Sequence, residues 1–230
     1  MRVVEASVAV IVPVRNEARL LPSLIGQMQQ LECDELIIVD GGSSDATAEI
    51  LAESGLRRIA SKPGRARQMN AGAEVCDSDI LLFIHADTMI DSSHISQLRE
   101  AMRDAGAVGG RFDVRLSGNS PVFRMIAFLI NLRSRLSKIS TGDQCLFVRR
   151  SVFEQMGGFA DQPLMEDIEF SKRLKRRGRV LCLHDKVTTS SRRWQQHGVV
   201  HTILLMWKLR LLYWLGVAPE KLARIYRDAR

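Results

Sequence analysis

The first half of the chain alternates short apolar runs with stretches whose apolar residues recur at helical spacing. That alternation predicts βα units laid on a mainly parallel sheet. Strands are expected at Ser7–Val12 and Leu36–Asp40, with helices at Glu17–Gln30 and Asp45–Glu53, the latter stopped by Gly55. The series continues through a short strand near Arg57–Ala60, a helix over Ala66–Val75 and a strongly apolar strand at Ile80–His85. Beyond Asp104 the sheet should become mixed. Val108–Leu116 is strand-like, though loosened by Gly109-Gly110, and is followed by a basic apolar helix at Pro121–Lys138 and a strand at Gln144–Val148. Glu166–Arg177 carries acids at its start, bases at its end and Gly178 as a stop, which suits a helix at both ends. From His197 onward the tail should be helical. The expected class is α/β: a Rossmann-like, mixed but mainly parallel sheet flanked by helices, with C-terminal helices.

Polar residues cluster just after the apolar strands: Asn16 and Glu17, then Asp40 to Asp45, then His85 to Thr88. In open α/β sheets ligands bind beyond the carboxyl ends of the strands, so these clusters can converge on one crevice. The Gly41-Gly42 pair permits close backbone approach to a ligand, and Asp45 can cap the next helix; a plain βα turn with a cap would look the same. The loop carries neither the GK[ST] of a phosphate loop nor a GxGxxG fingerprint, which sets those two nucleotide classes aside. Asp87, at a strand end, could hold a hard divalent cation such as Mg2+ or Mn2+, completed by substrate phosphate and water. It could also be a turn-former.

Composition narrows the field further. With 230 residues, 46% apolar and 26% charged, the chain is long enough for one folded domain over 1–230. Four scattered cysteines with no CxxC pair speak against structural zinc. The amino-terminal run is broken by Glu5, Pro13 and Arg15, unlike a secretory signal, so a cytoplasmic location is expected. The net charge of +7 conceals an asymmetry: residues 171–230 hold 15 Lys/Arg against 3 Asp/Glu. A basic tail of this kind suits an anionic partner. The helix-turn-helix and aromatic RNA-binding signatures are missing, which ranks nucleic acid last. No apolar run reaches the ~18 residues needed to cross a bilayer. TILLMWKLRLLYWL at 202–215 and the helix around Phe123–Leu136 are nonetheless too apolar to be freely solvated. Either packs on the domain or on a second copy in a homodimer, or lies at an anionic membrane surface as a peripheral contact.

The segments VPVRNEARLLPSL, IIVDGGSSDAT, GRARQMNAGA, LLFIHADT, the GGF at 157–159 and MEDIEFSKRLKRRG together resemble glycosyltransferase family 2, which has the GT-A fold. GRARQMNAGA and HADT are most similar to a bacterial subgroup, the transferases 2 associated with radical-SAM and selenodomain genes. The resemblance implies an inverting, metal-dependent, hexosyltransferase-like enzyme. It would move one sugar from a nucleotide-diphosphate donor, a UDP-sugar first, to an unidentified acceptor that could be a lipid.

By that resemblance residues 1–105 form the nucleotide-sugar half, 106–197 the acceptor and catalytic half, and 198–230 a basic amphipathic helical tail. Pro13, Glu17 and Asp40 would line the nucleoside pocket, with Arg65 and Arg67 facing the diphosphate. Asp87 matches the last Asp of the family's DxD motif and would bind the metal, while His85 stands in place of the first. Asp167 matches the catalytic carboxylate, with Glu166 beside it. Asp143 and Gln144 fall on the acceptor side, and Arg193 and Trp194 match the RW of a QxxRW element whose Gln is here Ser190. These departures also admit a catalytically silent sugar-nucleotide-binding or membrane-docking protein of the same fold. A related nucleotidyltransferase is disfavoured, because Pro13-Val14-Arg15-Asn16-Glu17 replaces its Gly-rich first loop.

Overall fold

The computed structural model describes residues 5–228, apart from the side chains of Arg193 and His197. Eight strands form one sheet: β1 (Val8–Val14), β2 (Glu35–Asp40), β3 (Arg58–Ala60), β4 (Ile80–Phe83), β5 (Thr88–Met89), β6 (Ala107–Leu116), β7 (Phe147–Arg149) and β8 (Arg179–Thr189). Their order is β3-β2-β1-β4-β7-β6-β8-β5. The half from β3 to β4 is parallel, β7 runs antiparallel to both β4 and β6, and β6 and β8 are parallel to each other. The helices are α1 (Leu21–Met28), α2 (Thr47–Glu53), α3 (Arg65–Glu74), α4 (Ser92–Ala101), α5 (Pro121–Ser137), α6 (Arg150–Gln155), α7 (Glu166–Leu174), α8 (Arg192–His197), α9 (Val199–Trp214) and α10 (Pro219–Asp228).

β1 is buried along all seven residues, as a strand covered on both faces must be. The period of two sorts its side chains. Val8, Val10, Val12 and Val14 face Leu21, Leu24, Leu51, Ile95 and Leu98 on one side. Ala9 and Ile11 face Ala66, Met69, Phe153, Phe159 and Phe170 on the other. Pro13 is tolerated in this central strand because β4 pairs with β1 only as far as Ile11.

Several expected boundaries shift. The strand expected at Gln144–Val148 starts only at Phe147, since Gly142–Gln144 forms a 3-10 turn closed by Thr141 and Gln144, and Cys145 then takes a left-handed φ of 49°. Helix α1 begins at Leu21 rather than Glu17 because residues 17–20 make a turn tied to the β2 loop. Strands β5 and β8 and helices α4, α6 and α8 carry no sequence expectation. Helix α4 is polar and capped by an Asp91–His94 exchange in place of the usual Glu or Gln. Strand β8 loses its alternation where its register against β6 shifts at Phe112/Asp113. Helix α6 follows β7 with no intervening turn residue.

Helix α5 is locked to β6 by polar contacts. Asn131 accepts from Val114 N (2.9 Å) through Oδ1 and donates to Val114 O (2.9 Å) through Nδ2. The fully buried Arg111 pairs with Asp113, whose other oxygen accepts from Arg135 at 2.7 Å. In the tail, α9 and α10 pack on the start of α7 through Leu209, Leu222, Met165 and Ile168. Even so, Leu204, Trp207, Leu211 and Trp214 stay exposed.

Helix α3 presses on the sheet at Gly72, where a Cβ would meet Ile11 Cγ2 at 2.4 Å and Val39 Cγ2 at 3.0 Å. Helix propensity alone would make Gly72→Ala stabilising by about 1 kcal/mol. Overpacking against two β-branched core residues reverses the sign, with an expected net loss of about 1–3 kcal/mol in urea denaturation.

Candidate active site

The carboxyl ends of β1, β2 and β4 meet on one side of the sheet, and their loops are fastened together. Asn16, at a left-handed φ of 54°, donates its backbone N–H to Ser43 Oγ (2.9 Å) and accepts from Ser44 N (2.8 Å). Glu17 N donates to Thr47 Oγ1 (2.9 Å), and Asp40 accepts from Ser43 through both backbone and hydroxyl. Beneath them Gln68 donates to Val14 O (2.7 Å) and Val39 O (2.9 Å), which pins the ends of β1 and β2 side by side. Gly41 makes room for that amide, since a Cβ there would lie 2.7 Å from Gln68 Cδ. Asn70 likewise clasps the turn at 157–159, donating to Phe159 O and accepting from Phe159 N, each at 2.9 Å. Gln68 and Asn70 carry no site expectation from sequence, although both lie inside the GRARQMNAGA run.

Burial raises the Glu17 pKa first, and its charged neighbours show what it faces: Arg192 and Arg65 lower it, Asp87 and Asp45 raise it. The β1 loop, the β2 loop, the β4 end, α3 and α8 therefore converge on one space. The β4 end is joined to the later chain as well. Ser190 N donates to Asp87 O (3.2 Å), and Thr88 pairs with Thr189 in the ladder between β5 and β8. Arg192, one residue before the expected Arg193, bears on Glu17 more strongly than Arg65 does. Arg193 lies in α8, its side chain outside the described residues. Trp194 packs among Leu116, Phe123 and Ile126, an apolar anchor for α8.

Asp167 stands at the start of α7, just after Met165, whose left-handed φ of 67° turns the chain into the helix. Its Oδ2 accepts the Gly142 N–H at 2.9 Å and its Oδ1 accepts the Ile168 N–H at 2.7 Å. Gly142 lies against the His85 imidazole, where a Cβ would come within 2.3 Å of Nε2, so only glycine allows His85, the 3-10 turn and Asp167 to stack this closely. Burial, and then the Glu166 charge, raise the Asp167 pKa to about 7, against the two hydrogen bonds and Arg65, which lower it. Glu166, 6% exposed, pairs with Arg65 at 3.6 Å, a contact between α3 and α7. From α5 the guanidinium of Arg133 faces Asp143 and Asp167, and burial lowers its pKa. Arg133 Nε and Asp143 Oδ1 are buried and make no hydrogen bond within the described residues.

Two expected site residues are placed otherwise. Arg67 is engaged by Asp161 in a bidentate pair at 2.7 and 2.9 Å, because α3 turns it away from Arg65. Gln144 is fully buried, accepting from Thr141 N and donating to Asn131 Oδ1, so its amide closes the 3-10 turn rather than lining an open surface. Pro13, Glu17, Asp40, Arg65, His85, Asp87, Asp143, Glu166 and Asp167 all lie on elements gathered at this end of the sheet.

For a divalent cation, the described residues hold no cluster of three or more His, Cys, Asp or Glu side chains. The arrangement still fits an ion of the Mg2+ type, which needs one or two carboxylates when phosphate and water complete its shell. Asp87 lies near enough to Glu17 for its charge to raise that group's pKa, a repulsion that a cation would relieve.

The sequence profile of Glycosyl transferase family 2 matches residues 9–157. "Probable glycosyltransferase YdaM" of Bacillus subtilis (strain 168) is 25% identical over 252 residues, covering 97% of this chain and 59% of that protein. The chain thus spans less than two thirds of that relative. Among solved structures, mannosyltransferase PcManGT from Pyrobaculum calidifontis, in complex with GDP-Man and Mn2+, superposes with a TM-score of 0.70 at 17% identity, covering 99% of this chain and 70% of its own. S. aureus TarS 1-349 in complex with UDP-GlcNAc gives 0.64 at 18%, covering 80% and 58%. These two likenesses are likenesses of fold.

The raised pKa of Asp167 also makes stability depend on pH. Its carboxyl ionises near 4 when unfolded and near 7 when folded, so the native state loses stability as pH climbs between those values. Asp167→Asn removes that loss. The variant should match the wild type at pH 4 and exceed it by about 1–3 kcal/mol at pH 8 in urea denaturation.

Proposed function

The chain belongs to glycosyltransferase family 2, and from that premise we propose that it is an inverting, metal-dependent transferase that moves one sugar from a nucleotide-diphosphate donor to an acceptor hydroxyl. The observation that carries the reading is Asp167: a part-buried carboxylate, oriented by Gly142 N–H, whose pKa is raised to about 7 where a general base works best. The Arg65–Glu166 pair links it to the loops that would hold the donor.

In this reading Pro13, Glu17 and Asp40 border the nucleoside, and the Arg65 guanidinium faces the diphosphate. A guanidinium can bind two phosphate oxygens at once, and Arg65 is half exposed and close to Asp167's own helix. Asp87 would hold the divalent cation, which when bound supplies positive charge to the departing diphosphate. Asp167 takes the acceptor proton as the acceptor oxygen attacks the anomeric carbon from the face opposite the diphosphate, so configuration inverts. Arg65 stabilises the charge that builds on the leaving group. Arg133 and Asp143 face Asp167 on the side where the acceptor would enter.

Calorimetric titration with UDP, GDP and CDP, each with and without Mn2+, tests the donor site. One nucleotide should bind in a Mn2+-dependent manner, and Asp87→Ala should abolish that binding; failure of all three to bind would sink the reading. Asp167→Asn should keep nucleotide binding and lose about 10²–10⁴-fold in turnover of the sugar nucleotide. Because the base must be ionised, the wild-type rate should fall about tenfold per unit as pH drops below about 7. A rate that stays flat down to pH 5 would remove Asp167 from the role.

A further inference from the structure

Helices α5 and α9 turn large apolar side chains outward: Phe128 is 63% exposed, Leu136 78%, Trp207 67% and Trp214 75%. On α9, at about 100° per residue, Val200, Leu204, Trp207, Leu211 and Trp214 fall within an arc of about 80°, with Lys208 and Arg210 on its two flanks. Of its sixteen residues only Thr202 and Leu209 are buried. A helix this apolar is normally covered. The two helices share a seam, with Phe123, Ile126 and Ile130 of α5 packed with Val199 and Ile203 of α9, so their exposed rows belong to adjoining elements.

Charge identifies what covers them. Neither residues 119–142 nor residues 186–219 contain an Asp or Glu, while Arg124, Lys138 and Lys208 are exposed there and Arg210 is partly so. Two copies of this face brought together by a twofold axis would set like charge against like. An anionic bilayer offers the opposite charge to the basic flanks and an apolar layer to the row between them, and Trp and Tyr beside Lys and Arg suit that boundary.

We propose that the α5–α9 face docks the chain on an anionic lipid bilayer, lying in the interface without crossing it. Helix α5 carries both the exposed row and Arg133, which faces Asp143 and Asp167. Docking therefore brings lipid to the acceptor side of the site, a consequence that rests on the transferase reading above.

Vesicle co-sedimentation of the full chain, run without nucleotide, tests the docking. Partition onto phosphatidylcholine–phosphatidylglycerol vesicles at low salt should exceed that onto phosphatidylcholine alone by about tenfold or more, and should fall at high salt. Tryptophan emission should shift to the blue on binding. Trp207→Glu combined with Trp214→Glu should cut partition about tenfold, and Lys208→Glu with Arg210→Glu should flatten its salt dependence. Both double variants should keep the circular dichroism and the Mn2+-dependent nucleotide binding of the wild type. Equal partition onto both vesicle types, or none onto either, overturns the proposal. So does a stable dimer by light scattering that Trp207→Glu with Trp214→Glu dissolves. Since nucleotide titration needs no vesicles, loss of the docking and loss of the transferase reading are read separately.

Discussion

The site depends on one close contact, the Gly142 backbone wedged between the His85 ring and the Asp167 carboxylate. His85 follows β4, the last strand of the parallel half, while Asp167 opens a helix on the far side of β7. Because β7 runs antiparallel to β4, the turn that precedes it is delivered to the carboxyl end of β4, where the polar loops are. A side chain at position 142 would push the imidazole or the turn away and take with it the N–H that orients Asp167. The strand reversal thus matters for chemistry as much as for architecture. It lets residues over fifty positions apart share one hydrogen-bonded contact.

Around that contact, burial and charge act against each other. Three acids, Glu166, Asp167 and Glu169, occupy the first turn of α7, where the helix dipole favours the ionised form. Burial and the adjacent Glu166 charge nevertheless win at Asp167 and raise its pKa, whereas Glu169 is held by a bidentate pair with Arg173. Arg65 sits at the balance point: paired with Glu166, it offsets part of the repulsion that raises the Asp167 pKa. A group that draws Arg65 away would leave Glu166 less compensated and push Asp167 further upward. Binding of an anion by Arg65 is in this way linked to the basicity of the neighbouring carboxylate.

The parallel half was legible because its signal is simple. Continuous apolar strands followed by polar loops gave β1 to β4 and placed Glu17, Asp40 and Asp87 at one end of the sheet. The later half was less so. Helix α4 hid behind Asp91 and His94, and β8 behind a register shift that puts Asp185 and Lys186 in a strand. Among the site residues, motif membership said where to look but not what each side chain does. The GRARQMNAGA run reads as a basic element near a phosphate, yet its amides, the buried Gln68 and the half-buried Asn70, do the fastening, and Arg67 is committed to Asp161. Pattern cannot separate such roles, because Arg65 and Arg67 differ only in which way α3 turns them.

At Ser190 and His85, the two positions where the resemblance would place another residue, the structure shows what each side chain does. At position 190 the backbone N–H, not the side chain, makes the bond to Asp87 O, while the Ser190 hydroxyl accepts from Arg192 N and steadies the entry to α8. A small hydroxyl residue satisfies both demands in a corner where Ser117 and Ser191 also exchange hydrogen bonds. At position 85 the imidazole fills the space that Gly142 leaves open and so doubles as the spacer between β4 and the 3-10 turn. An aspartate would be shorter and would add a third negative charge close to Asp87 and Glu17, whose mutual repulsion already raises the Glu17 pKa. Histidine at this position thus keeps the packing and lowers the negative charge at the strand end. In the transferase proposed above, Asp87 would be the carboxylate that holds the cation, with the donor's phosphates and water completing its shell.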